Sequence, residues 1–147
     1  MSTTGSLFQI TALELNQQID HKFAAVWELP AKADLSYFIL DLPNILRDYS
    51  GLSREAVGKI LEGCHAYQPQ DGYVGYMYPE EVKQVKAEIL DRISVEDFKG
   101  YLERGEQEGH AHCEAGAAEF LIPYFTNIKN AYADAVAANE ALIFCIG

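Results

Sequence analysis

Basic side chains are in short supply. Across 147 residues, 11 Lys and Arg stand against 22 Asp and Glu, giving a formal net charge of −11 and a pI near 4.6. Phosphate-dense partners repel such a chain, so nucleic acid and anionic membrane surfaces are not expected partners. Long apolar runs are lacking as well, and none approaches the ~18 residues of a membrane-spanning helix. Met1–Ser6 holds no Lys or Arg and no apolar stretch, so it does not read as a signal peptide. Cysteine is limited to Cys64, Cys113 and Cys145. An odd, widely spaced set fits a reducing cytoplasm in which the thiols stay free. There is no Gly-x-Gly-x-x-Gly, no Gly-Lys-Ser/Thr loop, no Gly-x-Ser-x-Gly and no His-Glu-x-x-His. The usual anchors of nucleotide, flavin and hydrolase chemistry go with them, and no cofactor is expected.

What the chain does have is material for a core. Hydrophobic residues make up 49% and aromatics 12%, which excludes wholesale disorder. The length suits one domain over residues 1–147. Leu7 to Ile10 is a strand candidate, and Thr11 with Glu14 forms a capping box for a helix from Ala12 to about Val26. A second helix is predicted from Asp34 to about Asp48 on the spacing of Leu35, Phe38, Ile39, Leu42, Ile45 and Leu46, kinked or split at Pro43. Ser53 caps a third, which Gly63 ends. His65 to Tyr76 reads as a loop, rich in Gln70, Asp71 and Gly72, entering a short strand near Tyr73–Met77. Pro79 opens the next helix and Ser94 restarts another. Gly105 to Gly116 reads as a mobile surface loop. The strongest helix spans Ala117 to Ala138, with Asn139 as a left-handed stop. Ala141 to Ile146 is apolar throughout, as a central strand buried on both faces would be. The fold class is therefore α/β, a single layered domain with helices packed on the faces of a small mixed sheet.

Three segments taken together resemble a known family. They are Gly5 to Ile10 entering a helix; Gly75-Tyr76-Met77-Tyr78-Pro79-Glu80-Glu81-Val82; and Phe120-Leu121-Ile122-Pro123-Tyr124-Phe125 with Ala131-Tyr132 and Asn139 to Phe144. This order resembles the YfbM-like family of small bacterial proteins. The resemblance implies a layered α/β domain and carries over no reaction and no catalytic residue.

Four features could carry chemistry. His110, His112 and Cys113 have ligand-type side chains, and Cys64-His65 could complete a zinc site; the alternative is a polar loop with exposed imidazoles. A cysteine–histidine dyad needs a base that reaches the sulfur in space, and the acids near Cys64 and Cys113 would raise a thiol pKa. Tyr67, Tyr73, Tyr76 and Tyr78 crowd twelve residues and suit either a recognition surface or a core rim. The acids lean towards the C-terminal half, with 13 against 6 bases from Tyr76 onward and 9 against 5 before it. Such an excess either steers a basic protein or keeps the chain soluble.

The reading from sequence is a non-catalytic, cytoplasmic, protein-binding module, such as a toxin-neutralising immunity protein or an inhibitor. Its candidate contacts are Tyr73, Tyr76, Tyr78, Glu103, Glu106 and Glu108. The alternative is a small hydrolase or transferase with its site between residues 65–78 and 105–116. Convergence of His65, His110 and a carboxylate would favour catalysis.

Overall fold

A computed structural model describes residues 5–35, 41–68, 72–111, 113 and 116–147. Strand β1 (Gly5–Ile10) leads into α1 (Ala12–Asp20), whose Thr11–Glu14 capping box forms as predicted. α1 ends earlier than its apolar spacing predicts. Lys22 and Phe23 both take left-handed φ values, 54° and 57°, and break the helix before Val26. That conformation is unfavourable for an aromatic residue. It is offset because it turns the Phe23 ring into the core, against Tyr67 and Tyr76 at 5.7 and 5.4 Å. A 3-10 turn (Val26–Glu28) follows, then the two-residue strand β2 (Ala33–Asp34).

The helix predicted from Asp34 begins later. Asp34 belongs to β2, residues 36–40 (Phe38 and Ile39 among them) lie outside the described residues, and α2 runs Leu42–Tyr49 with Pro43 in its first turn. Proline there lacks only an amide that has no intrahelical partner, so it starts the helix instead of kinking it. α3 (Arg54–Glu62) has Ser53 as its cap, the hydroxyl accepting from the Ala56 amide at 3.1 Å, and Gly63 at φ 86° as its end. The segment read as a loop contains a strand of its own, β3 (His65–Tyr67), before β4 (Tyr73–Met77). Helix α4 (Pro79–Glu88), a 3-10 turn (Leu90–Arg92) and α5 (Val95–Gln107) follow. α5 extends into the predicted Gly105–Gly116 loop, and the missing side chain of Gly105 leaves room for Cys113 against the helix; a Cβ there would lie 2.3 Å from its Sγ. The long α6 (Ala117–Ala138) stops at Asn139, φ 53°, and enters β5 (Ala141–Ile146), both as predicted.

The strands form one sheet in the order β2-β1-β5-β4-β3, so β5 is central. Every pairing is antiparallel, where the sequence reading expected a mixed sheet. Helices α4 to α6 return the chain to the edge at which β4 ends, where Met77 pairs with Leu142, so β5 must run back along β4. Alternation along the strands divides the interior in two. Leu7, Met77, Leu142 and Phe144 face a thick layer made by α2 to α6. Phe8, Ile10, Val74, Ile143 and Cys145 face a thinner one with Leu15, Phe23 and Val26. Helices thus cover both faces, which is the layered α/β arrangement expected. Among the described residues, no helix is long and apolar enough to cross a membrane.

Candidate functional site

The polar and aromatic side chains singled out from sequence fall into three groups. The first lies at the β3 edge of the sheet. Pairing of His65 with Tyr76 across β3 and β4 lays one ring over the other, with centroids 5.1 Å apart and planes 26° apart. Tyr78 meets both rings edge-on, at 5.5 Å from His65 and 6.1 Å from Tyr76. His65 Nε2 contacts both carboxylate oxygens of Glu81, at 2.8 and 2.9 Å. Glu81 sits in the first turn of α4 and also accepts the Tyr78 amide at 3.0 Å. Tyr73 turns away and donates its hydroxyl to the Glu62 carbonyl at 3.0 Å. Tyr76 and Tyr78 therefore share one aromatic cluster, with Tyr78 the more exposed ring. Gln70 and Asp71 lie outside the described residues.

The second group joins α2 to the end of α5. His110 Nε2 contacts Asp48 Oδ2 at 2.6 Å, and the imidazole lies 5.5 Å from the Tyr49 ring. Tyr49 donates its hydroxyl to Glu108 at 2.9 Å, Arg104 Nε donates to the same carboxylate at 3.1 Å, and the Arg104 guanidinium stands 5.3 Å over the Tyr49 ring. The tyrosine hydroxyl and the guanidinium hold the Glu108 carboxyl below its ordinary range, while desolvation and then Glu108 push the Tyr49 phenol up. Glu108 is thus committed within the fold. His65 and His110 do not meet; each holds its own carboxylate on a different element.

The third group is a groove of about 140 Å³ between α5 and the start of α6. Leu102, Ala117 and Ile122 supply its apolar floor and Glu103 and Glu106 its acidic rim, with Cys113 at the base; Lys99 also lines it and is paired with Glu96 at 3.1 Å. Glu103 and Glu106 are exposed and have no ion-pair partner among the described residues. Phe120, one turn into α6, is 57% exposed but does not line this groove.

The three thiols are free and held neutral. Desolvation is the first cause at each: it raises Cys64, with Glu81 adding and Lys59 opposing; it raises Cys113, with Asp41, Asp48 and Glu106 adding; and it pushes Cys145 up to about 12. A raised pKa means the nucleophilic thiolate appears only above the usual thiol range. Iodoacetamide at pH 7 should accordingly label Cys64 slowly, at a rate that climbs with alkaline pH, and should leave Cys113 and Cys145 unlabelled until the chain unfolds. Mass spectrometry of time points would show this; rapid labelling of Cys113 in the folded protein would contradict the packing against Gly105. Among the described residues no set of three or more His, Cys, Asp and Glu is gathered to hold a metal ion. His112 and Glu114 lie outside them.

Of the two histidine partners, Asp48 was not singled out from sequence, and Glu81 stood out only as one of two acids, with Glu80, at a helix start. Glu81 and Asp48 lie 16 and 62 residues from the imidazoles they hold. No family model and no curated protein matches the chain. Among solved structures it is similar to a protein of unknown function, YfbM from Escherichia coli, with 14% sequence identity and a TM-score of 0.59 over 98% of this chain and 99% of that one. At that identity the likeness concerns architecture alone, and the chain has a YfbM-like fold.

Proposed function

We propose that this chain is a non-catalytic, cytoplasmic binding protein that docks a basic protein partner, as a toxin-neutralising immunity protein or an inhibitor does. The observation that carries the reading is the α5–α6 groove. An apolar floor flanked by Glu103 and Glu106, neither spent on an internal ion pair among the described residues, suits a lysine or arginine whose stem packs and whose head is neutralised. The net charge of −11 adds long-range attraction for a cationic partner. At the sheet edge, Tyr76 and Tyr78 offer a second contact centred on the Tyr78 ring, while Tyr73 faces the other way and takes no part in it. The neutral thiols and the separate histidine–carboxylate pairs support binding over catalysis.

Titration with a panel of small cationic proteins, in ~50 mM and ~500 mM salt, tests this. At least one should bind in low salt and weaken roughly tenfold or more in high salt. Carrying both Glu103→Gln and Glu106→Gln should weaken that complex and flatten its salt dependence. Failure of every cationic protein to bind in low salt, or equal binding by the double variant, would overturn the proposal.

A further inference from the structure

Arg47 and Arg54 line one groove, on the helix pair α2–α3. The groove therefore carries two positive charges against the single negative charge of Glu62, in a chain whose net charge is −11. Arg47 and Arg54 hold no carboxylate among the described residues, as is true of Lys22, Lys83, Arg92 and Lys129; what sets the two arginines apart is that they line the same groove. Arg47 is set in place by neutral acceptors of its own helix: Nε donates to the Pro43 carbonyl at 3.1 Å and Nη2 donates to Asn44 Oδ1. A guanidinium fixed in this way loses little freedom when it meets an anion.

The groove encloses about 270 Å³, near the small end of ligand pockets, which run ~300–1,000 Å³. Val57 and Leu61 give it apolar walls. Its floor is Gly58, in the middle of α3, where glycine weakens a helix relative to alanine. Packing within the chain does not require that glycine. A Cβ there would meet only Glu62 Oε2, at an ordinary 3.6 Å. The missing side chain keeps the groove open between the arginines and Glu62. Arg54, Gly58 and Glu62 follow one another at four-residue spacing, a single stripe along the helix.

We infer that the α2–α3 groove binds a small amphiphilic carboxylate, its head on Arg47 and Arg54 and its apolar body over Gly58 between Val57 and Leu61. Two guanidinium groups match a carboxylate head. Glu62, whose Oε2 lies 3.6 Å from where a Gly58 Cβ would stand, disfavours a second anionic charge, so a singly charged ligand is preferred to a phosphate ester. The site is separate from the α5–α6 groove and does not depend on a protein partner.

NMR titration of the full chain with hexanoate, hexyl phosphate and hexylammonium tests the site. Hexanoate should give saturable shifts of α2 and α3 amides, hexyl phosphate weaker ones, and hexylammonium none. Arg54→Gln should weaken hexanoate binding about tenfold or more. Gly58→Ala should raise the thermal midpoint yet weaken binding, because the added methyl stabilises the helix while filling the floor. Gly100→Ala, also mid-helix but with nothing within 4 Å of the added Cβ, should raise the midpoint and leave binding unchanged. The inference is overturned if hexanoate gives no saturable shifts up to ~50 mM. It is equally overturned if hexylammonium shifts the same amides, if hexyl phosphate binds as tightly as hexanoate, or if Gly58→Ala binds as well as the parent.

Discussion

Gly75→Ala should cost about 4 kcal/mol or more, a large share of the ~5–15 kcal/mol that holds a typical domain folded. Gly75 lies in β4 where the end of α3 crosses it. A Cβ there would stand 1.6 Å from the Glu62 carbonyl oxygen and 2.8 Å from the Glu62 carbonyl carbon. Both obstacles are backbone, so no rotamer relieves them. Relief requires α3 to lift from the sheet by more than an ångström. That movement breaks the Cys64 amide bond to the Tyr76 carbonyl (3.2 Å) and the Tyr73 hydroxyl bond to the Glu62 carbonyl (3.0 Å). It also disturbs the packing of Ile60 and Leu61. Urea denaturation monitored by far-UV circular dichroism would measure the loss, with Gly100→Ala as a partner that adds a methyl to open space. A Gly75→Ala midpoint close to that of the parent would show that α3 and β4 are not in such close approach.

The second large effect belongs to Tyr132. It lies on α6 with no exposed surface, its ring 6.4 Å from Phe144, and its hydroxyl donates to the Ile60 carbonyl at 2.7 Å. It ties α6, α3 and the centre of the sheet into one unit. Tyr132→Ala empties an aromatic-sized space that close-packed neighbours cannot refill, at a cost of about 3–5 kcal/mol. Tyr132→Phe keeps the ring and loses only the hydrogen bond, at about 1–2 kcal/mol. The ratio of the two separates packing from polar anchoring. Burial holds the Tyr132 phenol well above its usual value, whereas the unfolded chain ionises it near 10. Its contribution is therefore complete below pH 10 and is lost as alkali rises beyond that. The alkaline limb of the stability curve should be shallower in Tyr132→Phe than in the parent. Equal midpoints for Tyr132→Ala and Tyr132→Phe would mean that the ring fills no close-packed space.

What could be read from the chain was what neighbours in sequence decide. The capping box at Thr11, the Ser53 and Ser94 caps, Pro79 at a helix start, and the run from Ala117 through Asn139 into β5 all follow from local rules, and all are present. What escaped depended on distant partners. β3 carries exposed His65 and Ala66 and exists because β4 lies beside it. β2 is two residues long and is defined by β1 alone. Phe23 breaks α1 because its ring is wanted in the core, although its spacing extends the helix. Gly105 looks like a loop residue until Cys113 is seen to need the space. The site divides in the same way. Glu103 and Glu106 could be nominated from charge, but not the floor of Leu102 and Ile122 that gives them a use. Arg47 and Arg54 went unnoticed because a lone arginine is ordinary; the signal was two bases flanking a helix–helix turn in a chain poor in bases.

The place of β5 has a consequence for biosynthesis. Both of its neighbours, β1 and β4, are translated before it, yet each bonds to it along nearly its whole length. On the ribosome, the nascent chain holds two strand edges facing a gap that only residues 141–146 can fill. Helices α2 to α6 can gather meanwhile, but the sheet closes only when this segment emerges. Until then those edges are open to any β-prone neighbour, so the vulnerable period lasts as long as elongation from β4 to β5.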